Sequence, residues 1–296
     1  MGTGKVFHMP DIAARLRQRQ PTVSFEFFPP KDAAAQTQLE AAIKELELLR
    51  PDFISVTYGA SGSTRERTIA ATEFIQRRTS VATMGHLTVV GQSRAEIAGA
   101  LGAYAAAGVR HILALRGDPE GGPSAPWRTH PQGLANATEL VRMVKQAGDF
   151  TVGVAAFPDA HPERRDFALD ARILAEKQAA GAQFAITQLF FGAHKYPELV
   201  ERARAAGATL PIIPGIMPVT NLGQIERFAA LSGAELPPEL VASLRAAETP
   251  EAVRAIGIAH AAALSRELLA AGAPGLHFFT QNRSKATAEI VRQLEL

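Results

Sequence analysis

The stretch TVSFEFFPPKDAAAQTQLEAAIKELELLRPDFISVTY, residues 22–58, decides the fold. An aromatic-rich run (22–28) is followed by an alanine-rich amphipathic stretch (33–49) and then by a second β-branched run (52–58). A strand, a helix and a second strand in this order favour two parallel strands joined by a crossover helix. The remainder of the chain repeats this unit.

Eight runs of the strand type alternate with helical stretches up to the C-terminus. The six further runs are ATMGHLT (82–88), HILAL (111–115), TVGVAAF (151–157), FAITQLF (184–190), LPIIPG (210–215) and GLHFFT (275–280). Helices are predicted at 65–78, 94–107, 134–147, 165–180 and 196–206, and PPEL (237–240) and ETPE (248–251) predict extra helices before the last strand. Eight strand–helix units predict an α/β fold of the closed (β/α)8 TIM-barrel type. We expect one domain over residues 1–296, with residues 1–20 forming an N-terminal extension or helix.

Composition and charge exclude several classes of function. The 31 lysine and arginine residues against 29 aspartate and glutamate leave a net charge of +2, too small a field to favour nucleic acid or an anionic membrane as a partner. The absence of cysteine excludes thiol catalysis and thiolate metal sites. No stretch is long and apolar enough to span a bilayer and the N-terminus lacks a hydrophobic signal core, so a cytoplasmic location is expected. Because no glycine-rich dinucleotide or phosphate-loop motif is present, a nucleotide cofactor would have to be held by the barrel rim.

Polar residues accumulate where the predicted strands end, at the rim on which barrel enzymes place their chemistry. A single polar residue at a strand end is often only a turn former. Recurrence on so many strands favours a shared site instead. The set comprises Glu26, Thr57, His86, Asp118, Asp159, His161, Gln188 and residues 281–283.

Glu26 is the sharpest candidate because it interrupts the aromatic run SFEFFPP. Strand alternation places Ser24, Glu26 and Phe28 on one face and the larger apolar residues on the other. If the larger apolar set faces the helices, Glu26 points into the barrel. Burial there would favour the protonated form that a general acid requires. The alternative is a structural carboxylate paired with an interior arginine or histidine.

Other polar residues admit two interpretations each. Asp118 ends the tripeptide RGD (116–118) and is either a turn former or a carboxylate that polarises a bound heterocycle. His86, His161 and His277 lie on three strand ends without metal-ligand spacing, so structural or cofactor-contacting histidines are favoured and no metal site is predicted. Lys177, from its position alone, is a solvated helix residue.

Several strings together resemble the bacterial methylenetetrahydrofolate reductases, and the resemblance extends from about residue 23 to residue 293. They are SFEFFPPK, DFISVTYGA, GHLTVVG, GVRHILALRGDP, HPE, GAQFAITQLFF, IIPGIMPVTN and LHFFTQNRS, in the family's order and spacing. The resemblance implies a catalytic barrel of eight strands that binds FAD across its C-terminal rim. It also implies reduction of 5,10-methylenetetrahydrofolate to 5-methyltetrahydrofolate by NADH or NADPH in a ping-pong cycle.

The resemblance also implies roles for individual residues, carried over by motif. Glu26 is similar to the family's general acid and Asp118 to the carboxylate between flavin and folate. Substrate-binding positions are matched by Gln188, Gln224, Phe228 and Arg283. FAD-binding positions are matched by Thr57, His86, Arg116, Gly117, Asp118, Ala137, Phe157, His161, Asp170 and Lys177. On this basis Lys177 becomes a candidate cation for the pyrophosphate.

The chain departs from the family's pattern at four positions, and two other functional classes remain to be separated from this one. Phe157 and Phe279 stand where enteric-type members have tyrosine, Ile173 replaces a polar residue, and Gly192 stands where some members have an acid. These departures imply altered cofactor affinity. The alternatives are another FAD-dependent barrel oxidoreductase, similar to proline dehydrogenase, which would not need Glu26 and Gln188 together, and a noncatalytic pterin-binding barrel, which would need no flavin. A homo-oligomer is compatible with all three.

Overall fold

Eight parallel strands close into a barrel in the computed structural model, which describes residues 11–58 and 62–296, with residues 62–64 described by their backbone alone. The strands follow one another around the barrel in chain order, and closure pairs the first with the last, Ser24 opposite His277. The predicted TIM-barrel fold and all eight strands are confirmed. The strands are β1 (Thr22–Phe27), β2 (Phe53–Val56), β3 (Ala82–Thr88), β4 (His111–Leu115), β5 (Thr151–Ala156), β6 (Phe184–Leu189), β7 (Ile212–Ile216) and β8 (Gly275–Phe279).

Helices cover the outside of the barrel, and several of them begin at a residue whose side chain caps the helix. The Ser93 side chain accepts from the backbone of Glu96, whose carboxylate caps Ser93 in return. The helix predicted from residue 134 begins at Ala137, because Asn136 accepts from the Glu139 backbone N–H. Within the described ranges, no helix is both long and apolar enough to cross a membrane. The helices are α1 (Ile12–Arg15), α2 (Ala33–Glu47), α3 (Gly62–Arg78), α4 (Arg94–Ala106), α5 (Ala137–Ala147), α6 (Phe167–Ala179), α7 (Lys195–Ala205), α8 (Leu222–Ser232), α9 (Pro238–Ala246), α10 (Pro250–Ala270) and α11 (Ser284–Arg292).

The seventh connection carries three helices, α8, α9 and α10, before β8, which confirms the extra helices expected there. Asn221 caps α8 by accepting from the Gln224 backbone N–H, and Thr249 caps α10 by accepting from that of Ala252. Pro238 and Pro250 each occupy the first helical position, where a missing N–H costs nothing. The connection therefore adds a layer of packed helices over the β7 side of the barrel mouth.

Strand alternation in β1 decides which side chains reach the barrel interior. Phe25 and Phe27 are fully buried in the core between the strands and the helices. The side chains of Ser24 and Glu26 point the other way and contact His277 inside the barrel. The expected orientation of Glu26 is therefore confirmed, because the larger apolar residues of the strand do face the helices.

The N-terminal end of the barrel is closed by α1. Ile12 and Leu16 are buried and pack in one cluster with Phe53 and other interior residues of the strands. Asp11 caps this helix and accepts a hydrogen bond of 2.8 Å from the Thr151 hydroxyl, while Arg15 pairs with Asp52 at 2.6 Å. Of the segment 1–20, for which an N-terminal extension or helix was expected, the structure describes residues 11–20, which include α1, and residues 1–10 lie outside the described residues. With this end plugged, a ligand reaches the interior from the C-terminal rim.

Candidate active site

Glu26 lies at the centre of the barrel mouth between two buried imidazoles. Its Oε2 atom is 3.4 Å from Nε2 of His277 on β8 and 3.5 Å from Nε2 of His86 on β3. The three residues are 8%, 0% and 4% exposed, respectively. These contacts agree with the alternative considered from the sequence, in which Glu26 is a structural carboxylate paired with an interior histidine. The same contacts also provide the carboxyl with two groups that can exchange or orient a proton.

His277 is held firmly by its surroundings. Its Nδ1 is 2.8 Å from the Ser24 hydroxyl, and its Nε2 is 3.4 Å from the Ser55 hydroxyl as well as facing Glu26. Its ring stacks on Phe53, with centroids 5.7 Å apart. Ser24 also lies 3.1 Å from the Leu276 carbonyl, so its hydroxyl can donate either to that oxygen or to the imidazole. A chain of exchangeable protons therefore runs from Ser24 through His277 to Glu26.

The burial of Glu26 comes from the barrel wall. Phe28, expected beside it, is 40% exposed and therefore contributes little to that burial. The backbone carbonyl of Glu26 accepts from the Thr280 hydroxyl at 2.6 Å and from the Thr280 N–H at 3.2 Å, which fixes β1 against the end of β8. Phe279, one of the departures from the family pattern, packs edge-on against His277 with centroids 5.6 Å apart.

A second cluster gathers cations at the ends of β4 and β5. Lys177 on α6 is 8% exposed, and its Nζ donates to the Ala155 carbonyl at 3.0 Å. Burial, reinforced by the positive charge of Arg164, lowers the pKa of Lys177 to about 8. Arg164 itself pairs with Asp170 at 2.7 Å, and Asp170 also accepts from the His161 N–H at 2.7 Å. Interpreting Lys177 from its position alone as a solvated residue was therefore wrong.

Arg116 presents an unused edge to this cluster. Its Nη1 pairs with the Glu163 carboxylate, and its guanidinium lies over the Trp127 ring, 4.7 Å from the centroid. Its Nε and Nη2 are buried and have no hydrogen-bond partner among the described residues. These two N–H groups form the edge of a guanidinium that binds carboxylate or phosphate oxygens in a bidentate manner. Arg116 is therefore oriented for an anion.

The remaining predicted cofactor positions surround these two clusters. Gly117 has φ +80°, and a Cβ there would lie 2.5 Å from Cγ1 of Val90, so the turn after Arg116 requires glycine. His161 is buried beside the Phe157 ring, with centroids 4.8 Å apart, and burial lowers the pKa of His161 to about 4. Ile173 and Phe157 line a water-sized space next to Lys177.

Thr57, Ala137 and Asp118 contribute mainly through their backbone or their position. The Thr57 N–H donates to the Phe27 carbonyl at 2.9 Å, and Ala137 is the first residue of α5. Asp118 is exposed on the loop that follows Gly117. Within the part of the chain that the structure describes, none of the three forms a hydrogen bond or an ion pair with Glu26.

The predicted substrate positions lie on three elements: Gln224 and Phe228 on α8, Gln188 near the end of β6 and Arg283 at the start of α11. Gln224 Nε2 donates to Gln281 Oε1 at 2.7 Å, and Gln281 has φ +54° and also approaches Met217 Sδ at 3.5 Å. Gln188 lies where the register between β6 and β7 shifts, and its Oε1 accepts from the Leu189 N–H. Phe228 is half-buried, and Arg283 is exposed at the start of α11. Gln281 belongs to the segment 281–283, which was among the polar residues predicted at the rim, but the sequence did not predict its hydrogen bond to Gln224.

Several residues of the site carried no sequence signal of their own. Ser24 and Ser55 are small polar residues inside strands, and their role depends on closure of the barrel next to His277. Gln92 is 3% exposed and accepts from the Tyr58 hydroxyl at 3.2 Å and from Arg65 at 3.2 Å, near the ends of β2 and β3. Within the described ranges, no group of three histidine, aspartate or glutamate side chains is arranged to hold a metal ion.

A separate cavity of about 530 Å³ lies beside the mouth, between the start of α7, the α8–α9 connection and α10. Its wall includes Gly192, His194 and His260, and Lys195 in the same wall pairs with Asp159 at 3.1 Å and with Glu235 at 3.0 Å. Neither Glu26 nor the Arg116 and Lys177 cluster lines it. The chemistry is therefore assigned to the mouth, where the buried titratable groups converge.

Known proteins resemble this chain over nearly its whole length. The sequence matches the family model described as methylenetetrahydrofolate reductase over residues 11–295. It is 36% identical over 275 residues to a 5,10-methylenetetrahydrofolate reductase of Pectobacterium carotovorum (92% of this chain, 89% of the relative). It is 37% identical over 282 residues to that of Salmonella typhimurium (94% and 92%). A Clostridium thermocellum protein that binds two copies of 5-methyl-5,6,7,8-tetrahydrofolic acid shares the fold, with a TM-score of 0.68 over 95% of this chain and 96% of the other, at 13% identity.

Proposed function

The chain belongs to the methylenetetrahydrofolate reductase family, and on that premise we propose that it reduces 5,10-methylenetetrahydrofolate to 5-methyltetrahydrofolate with NADH or NADPH, using bound FAD, with Glu26 as the general acid. The observation that carries the proposal is the Glu26 carboxyl, buried at the mouth of the barrel and contacted by two imidazoles. The remaining rim residues supply a binding surface around it.

The side chains at the ends of β4 and β5 fit a cofactor with a pyrophosphate. Among the described residues, the buried edge of Arg116 has no partner, and the buried Lys177 ammonium has one carbonyl acceptor for its three N–H groups. Buried cations with unused donors are stabilised by an anion at that place. Bound FAD would supply the redox chemistry, accepting hydride from the nicotinamide nucleotide and delivering hydride to the folate. The residues that would hold it are Thr57, His86, Arg116, Gly117, Asp118, Ala137, Phe157, His161, Asp170 and Lys177.

Glu26 performs the proton chemistry that the substrate requires. The methylene carbon of the substrate bridges two nitrogens, and such a carbon accepts hydride poorly until one C–N bond opens. Transfer of the proton from Glu26 Oε2 to the leaving nitrogen opens that bond and leaves an electrophilic iminium, a step to which a general acid contributes a factor of about 10² to 10⁴. His277, 3.4 Å from the same oxygen and linked to Ser24, can return a proton to Glu26 after turnover.

The substrate positions and Asp118 complete the site. Gln224 and Gln281 are already hydrogen-bonded to each other, so their amides are oriented before the substrate arrives. Gln188 near the end of β6, Phe228 on α8 and Arg283 at the start of α11 are proposed to contact the folate. Asp118, exposed on the loop after Gly117, places a negative charge at the mouth, which favours a cationic iminium.

An anaerobic spectrum of the purified protein tests the proposal directly. The protein should carry noncovalent flavin, should bleach with NADH or NADPH, and should recover its absorbance when 5,10-methylenetetrahydrofolate is added, with 5-methyltetrahydrofolate as the product. Bleaching by proline instead would support the proline-dehydrogenase-like alternative. A protein that stays colourless after incubation with FAD but binds folate would support the noncatalytic barrel.

A further inference from the structure

His86 occupies a different position from the other imidazole beside Glu26. His277 has a partner on each ring nitrogen, whereas His86 Nε2 is buried, 3.5 Å from Glu26 Oε2, and has no hydrogen-bond partner among the described residues. His86 Nδ1 also makes no hydrogen bond to a described residue. The ring is nevertheless fixed in place, because it is 4% exposed and the backbone carbonyl of His86 accepts from the buried Tyr104 hydroxyl at 2.9 Å.

The ring of His86 is neutral in the physiological range. Burial lowers the pKa of His86 to about 4; the titratable groups that act on it are Glu26 on β1, which opposes the shift, and His277 on β8, which adds to it. A neutral imidazole carries a single N–H, on either Nδ1 or Nε2. The position of that one proton determines whether His86 presents a donor or an acceptor to Glu26.

We propose that His86 is a positioning residue whose tautomer sets the protonation state of Glu26. With the proton on Nε2, the imidazole donates to Glu26 Oε2 and favours the carboxylate. With the proton on Nδ1, the lone pair on Nε2 accepts from the protonated carboxyl and favours the acid. An acceptor atom of a bound cofactor that reaches Nδ1 selects the second tautomer, so cofactor binding would hold Glu26 in its acid form.

This inference rests on the proposed function, because His86 matches a cofactor-binding position and Glu26 is the proposed acid. It adds a coupling that the proposed function does not require. Glu26 could be protonated through His277 and Ser24 alone, and in that case the identity of residue 86 would affect only cofactor affinity. The two possibilities differ in what happens to the proton on Glu26 when one nitrogen of His86 is removed.

Two substitutions remove one ring nitrogen each. The shorter amide of His86→Asn places its nitrogen near the Nδ1 position, so it keeps a donor for the cofactor and loses the contact with Glu26. The longer amide of His86→Gln reaches the Nε2 position, where its oxygen can still accept a hydrogen bond from the protonated carboxyl of Glu26. His111→Asn is the matched control, because His111 is a buried strand histidine whose pKa is also lowered by burial but which begins β4, at the opposite end of the barrel from the rim, and belongs to none of the proposed cofactor or substrate positions.

The first measurement is the infrared difference spectrum on adding FAD to the apoprotein, in which the band of a protonated carboxyl is assigned to Glu26 by its absence in Glu26→Gln. We expect the band in the wild type, in His86→Gln and in His111→Asn, and its loss in His86→Asn at equal flavin occupancy. An unchanged band in His86→Asn would overturn the proposal. This readout does not require turnover, so it stands even if 5,10-methylenetetrahydrofolate proves not to be the substrate.

The second measurement is the pH profile of flavin re-oxidation by 5,10-methylenetetrahydrofolate in anaerobic stopped flow. Loss of one hydrogen bond to the acid form, worth about 1.4 kcal/mol, should move the alkaline limb of the His86→Asn profile to lower pH by about 1 unit, which lowers the rate about 10-fold at a pH on that limb. The rate should recover towards that of the wild type at lower pH, and His86→Gln should lie between the two. An equal loss of the re-oxidation rate at every pH in both His86 variants would indicate a structural histidine and overturn the proposal. Failure of the wild type to react with 5,10-methylenetetrahydrofolate would count against the proposed function instead.

Discussion

Replacing Lys177 with methionine should make the apoprotein more stable and FAD binding weaker. Lys177 is 8% exposed, and Arg164 and Arg116 both act against its charge while Asp170 supports it. A fall in the pKa of Lys177 from 10.5 to about 8 corresponds to ~3 kcal/mol of destabilisation of the charged side chain in the folded apoprotein. Methionine removes that cost, keeps most of the volume and sacrifices the hydrogen bond to the Ala155 carbonyl, worth ~1–2 kcal/mol. We therefore expect the apoprotein to gain ~1–2 kcal/mol of unfolding free energy at pH 7.

FAD affinity should change in the opposite direction. Removal of one charged hydrogen-bond donor to the pyrophosphate costs ~1.5–3 kcal/mol, so the dissociation constant should rise about 10- to 100-fold. The pH dependence has a definite sign. Below pH 8 Lys177 is charged in both the folded and the unfolded chain, so the full cost of burying its charge is present. Between about pH 8 and 10.5 the unfolded chain holds more protons than the folded one, so the stability of the apoprotein rises with pH. FAD binding to the wild type should weaken over the same interval, because the binding cation is lost, and Lys177→Met should show neither change.

Fluorescence titration of the apoprotein with FAD and thermal unfolding of the apoprotein, each at pH 7 and pH 9, measure both quantities. Lys145→Met is the matched control: its Nζ also donates to a backbone carbonyl, that of Phe150 at 2.7 Å, but just before β5 begins and therefore at the opposite end of the barrel from the rim. The control should leave FAD affinity unchanged. A less stable Lys177→Met apoprotein that binds FAD normally would refute the reasoning and make Lys177 a structural residue.

Three further changes test the acid, the turn after β4 and the plug of the barrel. Glu26→Gln should leave the rate of flavin reduction by the nicotinamide nucleotide near that of the wild type. It should slow flavin re-oxidation by 5,10-methylenetetrahydrofolate by a factor of about 10² or more, as measured by stopped flow. Equal losses in both half-reactions would contradict the role of Glu26 as the acid. Gly117→Ala should lower Tm more than Gly91→Ala. Both glycines have positive φ, but only at Gly117 would a Cβ meet another side chain, that of Val90, at 2.5 Å. Equal shifts in Tm would show that this close approach is relieved at no cost. Leu16→Ala should reduce the free energy of unfolding by ~2–4 kcal/mol in urea titrations, since Leu16 is 4% exposed in α1, the helix that plugs the barrel. Leu48→Ala should change this free energy little, because Leu48 is 77% exposed. Similar values for the two variants would mean that the plug contributes no stability.

The order of elements was readable from the sequence because it depends on local periodicity. The predicted bounds of β3 and β4 agree with the structure residue for residue, and most of the other strands differ by one or two residues at their ends. The helix predicted from residue 165 begins at Phe167, since Arg165 has φ +50° and Asp166 caps the helix. Such shifts arise where a capping side chain, rather than hydrophobic pattern, determines the first helical residue.

The site was readable only in part. Alternation in β1 correctly placed Glu26 inside the barrel, because the faces of a strand alternate regardless of its partners. The pattern could not show that His86 and His277 approach the same carboxylate oxygen, since β8 pairs with β1 only once the barrel has closed and β3 lies one strand beyond the neighbour of β1 on the other side. Nor could it show that Gln281 would bind Gln224, 57 residues earlier in the chain.

What the sequence by itself determined is the alternation of strands and helices, the inward face of β1 and the set of polar residues at the strand ends, because these depend on the local periods of 2 and 3.6 residues. What only the tertiary structure decided is which of those polar residues meet and how strongly each is desolvated. Lys177 illustrates the difference: its position on α6 is evident from the pattern, but its burial, and with it the lowered pKa, arises because α6 packs on β5 and directs the ammonium to the Ala155 carbonyl. Burial and charge–charge interaction depend on distances between elements, and local sequence does not encode those distances until the barrel is closed.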